Sequence, residues 1–244
     1  APTVQADAIG SGSALFDGVD DYITTGTWFV PATTDFTLSC WAYSNDWAGD
    51  NDVMIWYGDA ADGGAKWTGL TLASSKIEFS VDDNSTKRVA ASGTLSGSGW
   101  KHIVGVRDVG STVKLYIDGV EIASTTDDGN SITNSSVVTT YIGVGSSSSS
   151  VFDYFDGYMK NVAVWNRALS ATEIQNVMYK TYSDLSGTLV SGLVSWWSLE
   201  KDDVFTDLKG SNDGTGVSLS TSDINDTLYG GYTPLIPRGF DNAP

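Results

Sequence analysis

The chain has 244 residues and a net charge of −17, from 30 acidic against 13 basic side chains. So acidic a surface repels polyanions, which excludes nucleic acid and anionic lipid as partners, and no run of about 18 apolar residues is present to span a membrane. Only Glu78, Glu121, Glu173 and Glu200 are glutamates, so the acids are overwhelmingly aspartate, a residue of turns, caps and oxygen-ligand loops rather than helices.

In chain order, Ala1-Pro2-Thr3 opens without a basic stretch leading into an apolar one, so the start is expected to be that of a mature or excised form rather than a signal peptide. Short runs with strand character follow: Leu15–Ile23, Phe36–Tyr43, Val53–Tyr57, Thr68–Leu72, Lys76–Val81 and Val89–Ala91. The same character continues in Trp100–Arg107, Thr112–Ile117, Glu121–Ser124, Val137–Val144 and Gly157–Trp165. Several alternate apolar and polar with period two, as half-buried antiparallel strands do. Asp118-Gly119 between two such runs predicts a two-residue hairpin turn, because both residues accept positive φ. Cys40, the only cysteine, lies in the second run and reads as a small buried hydrophobe. Ser146 to Ser150 is expected to be a loop tip. Leu169–Met178 breaks the strand pattern: Ser170 with Glu173 forms a capping box, and Ile174, Val177 and Met178 share one helical face. The elements together predict an all-β, antiparallel β-sandwich or barrel with one short helix after the last main strand.

Five blocks in order carry a family resemblance: Ala14–Ile23, Phe36–Trp41, Trp100–Arg107, Val113–Gly119 and Phe155–Ser170. They resemble the laminin-G-like, concanavalin A-like lectin/glucanase jelly rolls, over roughly residues 10 to 180. The resemblance implies two antiparallel sheets packed face to face, often with one structural calcium ion. It also implies a glycan-binding or adhesive appendage of secreted enzymes, cell surfaces or virions. Residues 1–186 are expected to form that sandwich. Gly192–Glu200 followed by Thr206–Thr215 resembles the segment that normally opens such a domain, so residues 187–244 are expected either to complete the same sandwich, as in a circular permutation, or to dock on a neighbour in a homo-oligomer or tandem array.

The chemistry of the residues favours binding over catalysis. Retaining glycoside hydrolysis needs two carboxylates about 5 Å apart, and the Glu-x-Asp-x-Glu strand of the related glucanases is missing. Glu78, between Ile77 and Phe79, reads as the solvent side of its strand. His102, the only histidine, has no Gly-x-Ser-x-Gly elbow to serve and reads as structural. Asp17, Asp20 and Asp21 cluster three carboxylates around Gly18, either as a calcium site or as a turn that satisfies its own amides. The resemblance adds Asp156 as a late-chain ligand to that site. Two loops rich in aromatic and acidic residues are the glycan-contacting candidates, through Trp47, Asp50, Asp52 and Trp67. The opposing reading makes both tryptophans loop anchors. The expected function is that of a non-catalytic recognition or assembly module. It would sit outside the cell or on a cell or virion surface, with glycans or neighbouring subunits as partners. A carbohydrate-binding module of a secreted enzyme is the alternative, and a glycoside hydrolase or lyase the remote one.

Overall fold

A computed structural model describes residues 12–26, 33–49, 51–59, 66–132, 139–147, 150–200, 205–219 and 224–225. The strands in the first half are β1 (Ser13–Asp17), β2 (Tyr22–Thr24), β3 (Phe36–Ser44), β4 (Asp52–Asp59), β5 (Lys66–Ala73), β6 (Lys76–Asp82), β7 (Lys87–Ala91) and β8 (Gly99–Asp108). There follow β9 (Thr112–Ile117), β10 (Val120–Thr126), β11 (Thr140–Ile142), β12 (Gly145–Ser147), β13 (Ser150–Phe152) and β14 (Asp156–Trp165). After helix α1 (Ala171–Val177) come β15 (Leu193–Trp197), β16 (Thr215–Val217) and β17 (Ile224–Asn225).

Two antiparallel sheets form the predicted sandwich. One runs β10-β9-β8-β3-β14-β1-β17, and the other runs β16-β2-β11-β4-β5-β6-β7. Strand β14 is long enough to serve two partners on one side. Its first half pairs with β1, Tyr158 opposite Leu15, and its second half with β15, Ala163 opposite Trp196. Alternation along the strands sorts side chains into layers. Phe16, Leu38, Cys40, Ile55, Leu70, Phe79, Ile103, Leu115 and Met159 meet between the sheets in one core. Each such side chain contributes about 1.5–3 kcal/mol on burial.

A second layer covers the outer face of the eight-stranded sheet. Val104, Val106, Tyr116 and Trp165 project from that sheet against Leu169, Ile174, Val177, Leu189 and Trp196. Helix α1 is shorter than the sequence suggests, but its capping box forms as read: Glu173 N–H donates to Ser170 Oγ at 3.3 Å, and Ser170 N–H donates to Glu173 Oε2 at 2.9 Å. Arg167 grips the same carboxylate with two N–H groups at 2.9 and 2.8 Å, holding Glu173 down to about 2. Adjacent residues of β15 divide between layers: Trp196 faces outward, and Trp197 enters the main core. Asp207 fastens the following loop, accepting from Ser195 Oγ at 2.9 Å, Trp196 N–H at 3.0 Å and Asn212 N–H at 3.1 Å. Burial pushes its carboxyl up, yet these donors hold it below the usual carboxylate range.

Two sequence readings are corrected here. Leu15–Ile23 is two strands, because Asp17 turns the chain at Gly18, whose φ is +73°. Of Val137–Val144, only Thr140–Ile142 is strand among the described residues. The serine run enters a hairpin, with Ser146 opposite Val151 and Ser147 opposite Ser150, while its residues 148–149 lie outside the described residues. The second strand of the hairpin ends in Phe152, whose ring meets Trp56 edge-on at 5.5 Å and so anchors the hairpin. The Asp118-Gly119 turn forms as expected, with φ of +51° and +75°.

Candidate functional site

The outer face of the seven-stranded sheet carries a different set of side chains. In β2 and β11, Ile23 and Ile142 point into the core, so Tyr22 and Tyr141 point out. In β4 a bulge between Val53 and Ile55 shifts the alternation: Met54, Ile55 and Tyr57 enter the core, while Val53 and Trp56 face away. Trp56 lies over its cross-strand neighbour Gly69, where a Cβ would come within 2.9 Å of the ring. Only glycine lets the indole lie that low. Trp67 stacks on it, with centroids 4.3 Å apart and planes 16° from parallel. Such a pair is worth about 0.5–1.5 kcal/mol beyond its burial.

This stacked pair walls a cavity of about 240 Å³ that Phe152 and the polar side chains of Asn51, Asp52, Thr71, Glu78, Lys87 and Asp153 also line. The Lys87 ammonium sits 5.0 Å from the Trp67 ring centroid, a cation–π distance. Val53 N–H donates to the Asp153 carbonyl at 3.0 Å, tying the β13–β14 connection to the cavity rim. Beyond the cavity, Tyr22 lies 6.2 Å from both Tyr141 and Tyr154. Burial and these two neighbours push the Tyr22 hydroxyl up. The chemistry on offer is flat aromatic surface beside hydrogen-bonding amide, carboxylate, hydroxyl and ammonium groups.

The four sequence candidates divide. Trp67 and Asp52 both line the cavity. Trp47 does not: it is 1% exposed, and its indole N–H donates to the Gly99 carbonyl at 2.9 Å. Its backbone N–H is bound to the Gly97 carbonyl at 2.7 Å, so Trp47 plugs its loop into the core. Asp50 lies outside the described residues. Sequence reasoning missed Trp56 and Phe152. A bulge hid the first, and the second closes a serine run taken for a loop. Glu78 faces outward as read, and its position on the cavity follows from that parity.

At the β1–β2 turn, carboxylate oxygens of Asp17, Asp20 and Asp21 lie within 4.8 Å of one another. Asp156, the fourth expected ligand, is the cross-strand partner of Asp17. Asp17 Oδ1 accepts from Val19 N–H at 2.8 Å, and Asp21 Oδ2 from Asp17 N–H at 3.1 Å, so the turn also closes on its own amides. The donor set is all oxygen, which fits a hard cation.

His102 is enclosed. Its Nε2 is 3.0 Å from Ser39 Oγ, and burial pushes the imidazole down to about 3. Among the described residues, no histidine, serine or cysteine lines the cavity.

Comparison with known proteins places the fold. A laminin-G family model of the Concanavalin A-like lectin/glucanases superfamily matches residues 17–175. The chain belongs to the concanavalin A-like lectin/glucanase superfamily. No curated protein matches it in sequence. Among solved structures it is similar to a candidate carbohydrate-binding protein from Bacteroides ovatus, at 16% identity and a TM-score of 0.66 over 89% of this chain and 60% of that one. It is also similar to the CBM40 of Ruminococcus gnavus IT-sialidase bound to α2,3 sialyllactose, at 16% identity and a TM-score of 0.52, covering 70% of this chain and 96% of that one. A third is domain 4 of AbnA, an extracellular arabinanase from Geobacillus stearothermophilus, in complex with arabinotriose. Its identity is 16% and its TM-score 0.51, over 68% of this chain and 76% of that one. At these identities the likeness is one of fold.

Proposed function

We propose that this chain is a non-catalytic glycan-binding module whose ligand enters the cavity beside Trp56 and Trp67. The observation that carries the reading is the stacked tryptophan pair set among Asn51, Asp52, Thr71, Glu78 and Lys87, on a sheet face that no helix among the described residues covers. Sugars present apolar C–H faces to aromatic rings and hydroxyls to planar polar groups, and this wall supplies both. Similar folds in complex with sialyllactose and arabinotriose support the reading. The enclosure of His102 and Cys40 away from the cavity favours binding over chemistry. A glycan panel tests it: the full chain binds at least one neutral glycan without releasing reducing ends. Hydrolysis of any panel member, or no binding to any, contradicts it.

Residues 187–219 are read as part of the same sandwich, supported by Trp197 and Leu219 in the main core. A chain ending near Leu185 is then expected to lose cooperative unfolding. A calcium ion at Asp17, Asp20 and Asp21 is proposed on the oxygen-only trio. Chelator should lower the melting temperature of calcium-loaded protein, and an unchanged value contradicts the ion. Placement outside the cell or on a surface follows from the module reading. Among the described residues, no helix is long and apolar enough to cross a membrane. Assembly with copies of itself has one supporting observation: Val120 and Ile122 on terminal strand β10 are 58% and 44% exposed. A mass that stays monomeric across a concentration series removes that second reading.

A further inference from the structure

Tyr22, Tyr141, Trp56 and Trp67 sit on four successive strands, β2, β11, β4 and β5, all on the open side of the seven-stranded sheet. Tyr141 packs on the Trp56–Trp67 cluster, Tyr22 is 6.2 Å from Tyr141, and Tyr154 is 6.2 Å from Tyr22. The row therefore crosses the strands instead of following one. Three strand spacings of about 4.8 Å give it a length on the order of 14 Å. The tryptophans are almost fully buried, whereas Tyr22, Tyr141 and Tyr154 are half-buried and keep surface to offer. A site for a single sugar would need the cavity alone and gives no reason for tyrosines two strands away. Carboxylates flank both ends: Asp52, Glu78 and Asp153 at the cavity, and Asp17, Asp20 and Asp21 at the β1–β2 turn beside Tyr22.

We infer that the ligand is a neutral, linear oligosaccharide segment of at least three rings, laid across β2, β11, β4 and β5 with one ring in the tryptophan cavity and the others over the tyrosines. The inference rests on the glycan reading above and extends it to ligand length and charge. A pyranose advances about 5 Å along a linear chain, close to one strand spacing of about 4.8 Å, so successive rings meet successive aromatic side chains. The carboxylates of Asp52, Glu78 and Asp153 at the cavity and a net charge of −17 repel uronate chains.

Calorimetric titration of the full chain tests this with cello-, xylo- and manno-oligosaccharide ladders of one to six rings, and with an oligogalacturonate ladder. For whichever neutral ladder binds, affinity should climb at least tenfold from one ring to three and level off beyond four. Tyr141→Ala should weaken the trimer about five- to tenfold, the size of one lost aromatic contact. Tyr141→Phe should retain the trimer. Tyr154→Ala serves as the second variant should Tyr141→Ala fail to fold. A single ring bound as tightly as a hexamer, or tyrosine variants without effect, would overturn this inference and leave the glycan reading intact. Equal binding of oligogalacturonate would overturn its charge half. Binding of no ladder by the native chain defeats both.

Discussion

The outer face of the eight-stranded sheet is sealed by α1 and by Leu189, Leu193 and Trp196, whereas that of the seven-stranded sheet ends in a cavity walled by Trp56 and Trp67. Both faces carry tryptophan, but in different employment. Trp165 and Trp196 meet edge-to-face at 6.2 Å inside an apolar layer, and Trp165 donates its indole N–H to the Leu189 carbonyl at 2.9 Å. Trp56 and Trp67 lie flat against each other with acids, amides and an ammonium around them. Where a face is to be stable, the chain adds a layer; where it is to bind, it leaves aromatic surface beside polar groups.

The strongest way to break that contrast is truncation on each side. Trp196→Ala should cost about 3–5 kcal/mol in denaturant unfolding and leave glycan affinity unchanged. Trp67→Ala, which also removes a buried indole, should cost stability too but in addition remove binding. Binding lost in both, or kept in both, would erase the distinction. Next in size is Asp207, which holds the loop behind the sealed face: Asp207→Ala should cost about 2–3 kcal/mol, because it strands the buried donors Ser195 Oγ and Trp196 N–H. A change below 1 kcal/mol would show the loop is not fastened this way.

The sealed face should also set the acid limit. His102 stays neutral in the folded state down to about pH 3, whereas the unfolded chain protonates it near 6.5, so stability is lost as pH falls below 6.5. By pH 5 this amounts to about 2 kcal/mol. Glu173, held at about 2, adds a second loss that begins near its ordinary value of 4.5. His102→Gln should flatten the curve between pH 6.5 and 4.5, and an unaltered slope contradicts the assignment. At the alkaline end stands Lys160, buried in β14 with its ammonium donating to the Gly12 carbonyl at 2.7 Å and to Glu200 at 3.3 Å. Burial pushes it down to about 8 against the partial offset of Glu200, so stability should rise from pH 8 to 10.5, where the unfolded chain still holds the proton. Lys160→Met should remove that rise.

The fold was legible because period-two alternation marks a face, and β6, β8 and β9 keep it over their length. The helix was legible because Ser170 and Glu173 cap it by local spacing alone. The site was half legible. In the sequence Trp67 and Trp47 stand in similar aromatic, acidic stretches, and nothing local distinguishes an indole stacked at a cavity from one bonded into the core by Gly97 and Gly99, some 50 residues away. Trp56 was hidden because one bulge residue reverses parity. The buried charge network was missed for a related reason. Arg107 N–H groups donate to Asp127 at 3.2 Å and to the Asn130 carbonyl at 2.6 Å, while Arg88 bonds Asp83 at 2.7 Å and also contacts Asp128. Burial pushes the Asp83 carboxyl up, and the Arg88 guanidinium with the Ser85 and Thr86 N–H groups holds it well below its ordinary value. Arg107 shares inward parity with Ile103, and Arg88 with Ala90, so the signal was an arginine at a core position, but Asp127 and Asp128, which join the two, lie in a turn 20 and 40 residues on. In the tail, Trp196-Trp197 gives no hint that neighbouring tryptophans serve opposite layers until β15 is set against β14.

The most direct test of the account is glycan binding by the native chain and by Trp67→Ala, both confirmed folded. The account predicts that the native chain binds a neutral linear glycan and that Trp67→Ala loses at least tenfold in affinity with its β-sheet spectrum intact. Equal affinity in the two proteins, or no binding by the native chain, would contradict it.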